Sequence, residues 1–441
     1  MLLCSFILLC LQYSCAAANW LNASHLPDAK HIHSLDDAKL VFVQVLFRHG
    51  DRTPIYQIPN DKITSANWTL GGQGFGQLTP LGMKQQMELG QKLRKRYDSF
   101  ISRRYISNEI YVRSTDVKRT LASAIANMIG FYGEMGEAGK DYPNVTGWPA
   151  SYVPIPVETV ETSREFIFGA LWTCKYANAV RTALKDTTEY QDTIKSHQAL
   201  INKVKSLTGL NEVSLETIVA IRDTLFIEKS NNISYPEGFD DVLYNQLDDL
   251  ASVVDNLNVG INVSKQNGID FRVEVARLSG GALLNNFISN MKHKQKCLNE
   301  TNETSNLCSF FGPLKYYVVS AHDSTIASLF STFGFKEANF NASGLPNYAS
   351  CVSIELYQLF DGTYTVKVIY WPELKDPLDL TAQIVGCSDD CPFDQFVSRS
   401  SDYLINDMDE YCNQDFNNSE HTSSKSNNNS KSVFVQTPTK H

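Results

Sequence analysis

Basic residues are in short supply in this 441-residue chain: 39 Lys and Arg stand against 48 Asp and Glu, a net charge of −9. That excludes nucleic acid as a main partner, because binding a phosphate backbone needs a basic face. Long apolar runs are scarce too. The one at the amino terminus ends near Ala18, and no second stretch could span a membrane. No internal repeat is found, which excludes a solenoid. No Cys/His cluster accompanies His31 and His33, so that pair reads as solvated leader and no metal is expected. Within these limits the composition, 43% hydrophobic and 20% charged, is that of a globular protein long enough for a sizeable core.

No Lys, Arg, Asp or Glu precedes Asp28, and the first apolar stretch closes on Cys15-Ala16-Ala17-Ala18. Small residues there suit a cleavage site, so residues 1–18 are expected to be a secretory signal peptide. Sequons at Asn22, Asn67, Asn144, Asn232, Asn262, Asn299, Asn302 and Asn341 fit that route, and Asn417 and Asn428 add two in the tail. Seven cysteines follow the leader, an odd number, so one must be free or bridge to another chain. Cys387 and Cys391 are close enough for a local staple. Cys297 and Cys308 flank a polar loop that a bridge would close. Residues 413–441 are Ser/Asn-rich, read as disordered, and lack the hydrophobic end of a lipid-anchor signal. A soluble protein, secreted or lumenal, is expected.

Leu40 to Phe47 reads as a buried strand. Thr79 and Pro80 open a helix as cap and first residue, and Met83, Met87, Gly90, Leu93 and Tyr97 recur at helical spacing. Residues 108–116 form a second strand and 117–133 a second helix. Strand-helix-strand-helix predicts crossover connections and a parallel sheet core. Helical periodicity then dominates, and residues 134–267 read as a mostly helical insertion. After it the α/β pattern resumes: a helix from about Val273, a strand into "SAHDS", a helix ending at Gly334, and a hairpin turning at Asp361-Gly362. The expected core is therefore discontinuous, 38–133 with 268–412.

"FRHGDRTP", Phe47 to Pro54, places Arg48, His49 and Arg52 at the carboxyl end of the first strand, where open α/β sheets bind ligands. Arg113 is taken to end the second strand, and His322-Asp323 a third. Three guanidiniums brought together without an anion would be costly, so they predict an anionic ligand, and their forked donors match phosphate. His49 is a possible nucleophile, His322 a further donor, and Asp323 a carboxyl placed to protonate a leaving group. Asp51 and Asp116 are expected to do structural work, Asp51 orienting an arginine and Asp116 capping the following helix.

RHGDRTP, the segment YVRSTDVKRT and the distant HD pair, in this order, resemble the histidine phosphatase superfamily in its acid phosphatase branch. "LPNYASC" and "GCSDDCP" extend the likeness from about residue 38 to 412. The resemblance implies a three-layer α/β/α core of phosphoglycerate mutase type, with a mixed, mainly parallel sheet and an inserted helical cap. It implies a phosphohistidine on His49, Asp323 as acid and then base, and Arg48, Arg52, Arg113 and His322 holding a phosphate monoester, without a cofactor. It also implies Cys174–Cys412 and Cys387–Cys391 disulfides, and possible homodimers. The relatives pair the Cys351 position with a cysteine in the helical insertion, near Ile227 here, so Cys351 is expected to be free and Cys297–Cys308 to be a substitute staple. A phytase-like or lysophospholipid phosphatase, or a non-catalytic phospho-ligand-binding protein, are the alternatives. The intact His49 and Asp323 speak against the last.

Overall fold

Three of the ladders in the central sheet are parallel and three antiparallel, and the parallel half carries the chemistry. The computed structural model describes residues 38–416 apart from 134, 163–164, 166–173, 300–304, 341–343 and 406. The leader, His31, His33, the sequons at Asn22, Asn302 and Asn341, and the tail from 417 lie outside the described residues.

The chain order begins β1 (Lys39–Arg48), α1 (Pro80–Tyr97), β2 (Ile110–Thr115), α2 (Lys118–Tyr132) and β3 (Glu158–Val160). Five helices follow: α3 (Lys175–Lys185), α4 (Thr188–Ser196), α5 (Gln198–Thr208), α6 (Leu215–Ser230) and α7 (Asp241–Asn258). A small ladder of β4 (Lys265–Gln266) and β5 (Ile269–Asp270) leads into α8 (Phe271–Ala276), a π-helical turn (Arg277–Gly281) and α9 (Ala282–Asn299). Then come α10 (Asn306–Phe311), β6 (Tyr316–Ala321), α11 (Asp323–Thr332), β7 (Cys351–Gln358), β8 (Tyr364–Trp371), β9 (Leu378–Asp379), α12 (Phe393–Ser400) and α13 (Met408–Cys412). The sheet order is β3-β2-β6-β1-β7-β8-β9.

Strand alternation builds the three layers. Val43, Val45 and Phe47 of β1 point to the layer of α1 and α2, where Leu89, Leu93, Tyr97 and Phe131 meet them. Phe42 and Leu46 point to the other side, onto Leu283, Phe287, Leu329 and Phe330 of α9 and α11. The helices α3–α7 gather a separate apolar cluster around Val180, Ile218, Leu225, Leu247 and Val254. Cys174, just ahead of α3, is bonded to Cys412 at the end of α13, which ties the last of the described helices to this cluster. Phe416 packs on Tyr176, so the first residues of the expected tail are docked.

Cys297–Cys308 and Cys387–Cys391 are also bonded, and Cys351 is a free, buried thiol paired in register between Phe47 and Trp371. Asn67, Asn144, Asn232, Asn262 and Asn299 are all exposed. No helix among the described residues is long and apolar enough to cross a membrane.

Candidate active site

The site begins where β1 and β6 end together. Arg48 lies level with Ala321, so His49 and His322 leave the sheet side by side, their ring centroids 5.6 Å apart. Thr79 caps α1 as expected, accepting from the Gly82 N–H, and its hydroxyl also donates to the Asp51 carboxylate at 2.5 Å. Asp51 therefore fastens the loop to the helix rather than orienting an arginine. Its burial raises its pKa, against the opposing bond from Thr79.

His49 Nδ1 lies 2.8 Å from the Gly50 carbonyl oxygen. A carbonyl only accepts, so Nδ1 carries the proton and Nε2 keeps its lone pair. Burial, then the charges of Arg48, Arg119 and Arg52, holds the ring well below the usual histidine pKa. This is the physical reason for crowding cations around an imidazole: they keep it neutral and nucleophilic.

Arg48 pairs with Asp323 at 2.8 Å, donates to Pro346 O at 2.7 Å, and lies 4.2 Å over the Tyr348 ring. Gln86 of α1 donates to the Arg48 carbonyl at 2.7 Å and fixes the strand end. Arg52 Nη2 donates to both carboxylate oxygens of Asp223 of α6, at 3.0 and 3.1 Å. Burial works against the charge on Arg52, but Asp223 outweighs it and the guanidinium stays protonated. Asp323 opens α11, where a helix dipole favours a carboxylate. Burial alone would raise its pKa; Arg48, His322, the Ser324 N–H and Arg52 together hold it below the usual range.

Arg113 is not part of this assembly. It lies level with Val319, two residues short of the rim marked by Arg48 and Ala321, which is about 7 Å of strand. There its guanidinium is buried against Glu165 at 2.6 Å. The strand runs on to Thr115, so the expectation that Arg113 ends it is corrected.

The third site arginine is Arg119, in the first turn of α2. It lies 3.4 Å from His322 Nδ1, and Thr115 Oγ1 lies 3.1 Å from His322 Nε2. An arginine donates only, so Nδ1 accepts and Nε2 carries the proton. Burial, with Arg119 next, takes His322 down to about 4, so it stays neutral. A cation at a helix N-terminus opposes the dipole, and burial with Arg52 and Arg48 pushes Arg119 down to about 10. That unfavourable placement is the local signal for function that "DVKRT" carries. Asp116 is exposed and does not cap α2; Val117 stands at the cap position without a side-chain bond.

The assembly is one neutral histidine with an open lone pair, three guanidiniums, a second neutral histidine and a carboxyl. No group of His, Cys, Asp and Glu among the described residues could hold a metal ion. Residues 39–371 match the histidine phosphatase superfamily, branch 2. The chain is 35% identical over 379 residues to the lysosomal acid phosphatase of Xenopus laevis, covering 85% of this chain and 79% of that one. It is 32% identical to the prostatic acid phosphatase of Bos taurus, covering 85% and 88%. Among solved structures, the Klebsiella phytase superposes with a TM-score of 0.58 at 16% identity, over 84% of this chain and 95% of that one. At that identity the likeness concerns the fold.

Proposed function

The chain belongs to branch 2 of the histidine phosphatase superfamily and is an acid phosphatase, and from that premise we propose how its residues divide the work. His49 Nε2 attacks the phosphorus of a phosphate monoester. The P–O bond to the alcohol breaks, and Asp323 delivers the proton to the departing oxygen. Water then attacks the phosphohistidine, with Asp323 taking its proton and His49 leaving. Arg48, Arg52 and Arg119 hold the equatorial oxygens and stabilise the developing charge, and His322, its Nε2–H anchored on Thr115, accepts from Arg119 through Nδ1 and positions it. Arg113 has no part in it.

The observation that carries this reading is the fixed tautomer of His49, its Nδ1 held by Gly50 O and its Nε2 left with the lone pair in a ring kept neutral by burial and the neighbouring arginines. The Arg48–Asp323 pair supports it as well. A bound phosphoryl group competes with Asp323 for Arg48, which lifts the carboxyl pKa and readies it as an acid. The helices α3–α7 act as a cap on the crevice, contributing Asp223 to it. Five exposed sequons support passage through a secretory compartment and glycosylation there.

Hydrolysis of 4-nitrophenyl phosphate near pH 5 tests the reading. His49→Ala should lose at least about a thousandfold in kcat. Asp323→Asn should lose much more on an alkyl phosphate than on the aryl ester, whose leaving group needs no proton. Equal losses on both esters would contradict Asp323 as acid.

A further inference from the structure

The wall of the crevice opposite the arginines is acidic. At helical spacing, α6 and α7 turn Arg222, Asp223, Phe226, Asp248, Ser252 and Asp255 to one side. Phe226 lies 6.3 Å from Tyr348, which itself lies 5.8 Å from His49, so this face borders the site. Arg222, its one cation, is tied to Asp248. Asp223 is tied to Arg52. Asp255 has neither a hydrogen bond nor an ion pair among the described residues, and a side chain at Gly344 would touch its carboxylate. Gly344 is two residues from Pro346, whose carbonyl receives Arg48.

On the core side, Asp323 and Asp223 already match Arg48 and Arg52, leaving Arg119 as the site arginine without a carboxylate partner among the described residues. One phosphoryl dianion fits that balance. A second anion on the same substrate would face carboxylates with no cation to spare.

We infer that this face selects against anionic leaving groups, that the substrates are monophosphate esters of neutral or amine-bearing alcohols, and that Asp255 is the main specificity-determining residue. The inference rests on the phosphatase reading above. The charged groups facing Asp255 are Asp323 of α11, Arg222 and Asp223 of α6, and Arg48 of β1. Burial, then the Asp323 charge, pushes Asp255 up to about 7. Its own contribution to selectivity therefore appears only as pH rises through neutrality.

Three esters of similar size test this: 2-aminoethyl, 2-hydroxyethyl and carboxymethyl phosphate, with inositol hexakisphosphate as a polyanion and 4-nitrophenyl phosphate as reference. In the unmodified enzyme, kcat/KM should favour aminoethyl over carboxymethyl by about tenfold near pH 8 and by about threefold near pH 5. Inositol hexakisphosphate should be at least about a hundredfold poorer than the hydroxyethyl ester. Asp255→Asn should hold the ratio at its acid value across the range, and Asp255→Glu should restore its rise. A carboxymethyl preference, or a ratio in the unmodified enzyme that does not rise with pH, would overturn the inference while 4-nitrophenyl phosphate hydrolysis leaves the phosphatase reading intact. Failure of the unmodified enzyme on 4-nitrophenyl phosphate would overturn both.

Discussion

Gly50 and Gly82 pack backbone against backbone: a Cβ on Gly50 would lie 2.2 Å from the Gly82 carbonyl oxygen, and one on Gly82 would lie 2.2 Å from that of Asp51. The loop after β1 and the first turn of α1 are thus closer than any side chain allows. This contact also fixes the Gly50 carbonyl that orients His49. Gly50→Ala should destabilise the fold by about 1–3 kcal/mol in a urea melt. It should lower kcat by roughly a hundredfold in the protein that remains folded, because the nucleophile is displaced. Full activity in Gly50→Ala would mean that the carbonyl does not position the ring.

Two arginines six residues apart should behave oppositely. Arg119→Ala removes a phosphate donor and should cut kcat/KM by about a hundred- to a thousandfold with little change in melting. Arg113→Ala removes a partner of buried Glu165 and should cost about 3–5 kcal/mol of stability while kcat at permissive temperature stays within a few-fold. Paired steady-state kinetics and denaturant melts distinguish the roles.

Activity should fall as pH rises from about 5 to 8. Asp323 is held below the usual carboxylate range in the free site by Arg48, His322, the Ser324 N–H and Arg52, against its burial. Its protonated fraction, which the first step needs, therefore shrinks about tenfold per pH unit above its pKa. His322, at about 4, stays neutral over this span. On an alkyl phosphate, kcat of Asp323→Asn should be low and nearly independent of pH.

Stability has its own pH dependence through Glu228 of α6. It is buried, and burial together with the neighbouring Asp61 raises its pKa from 4.5 to about 8. A carboxyl with a raised folded-state pKa contributes stability that is complete below 4.5 and lost as pH climbs through about 8. The melting temperature should therefore decline from acid to mildly alkaline solution, and Glu228→Gln should flatten that decline.

Much of this was legible along the chain, because local chemistry specified it. The β1 run, the Thr79-Pro80 start of α1, the hairpin turn and the RHGDRTP and HD strand ends depend on neighbours in sequence. Arg119 was not legible against Arg113, since which arginine reaches the rim is decided by the register of β2 on β6. Nor were Asp223 and Asp255, which reach the crevice only through the packing of α6 and α7. Asp116 looked like a cap, yet the chain turns at Val117 and leaves it in solvent.

The most direct test of the account is to trap the phosphoenzyme. The protein should be mixed with a phosphorus-labelled aryl phosphate near pH 5, quenched in alkali, where phosphohistidine survives, and mapped by peptide. Stoichiometric, acid-labile label on His49, lost in His49→Ala and accumulating in Asp323→Asn with the aryl ester, is the predicted result. Turnover with no label on His49 under any quench would contradict it.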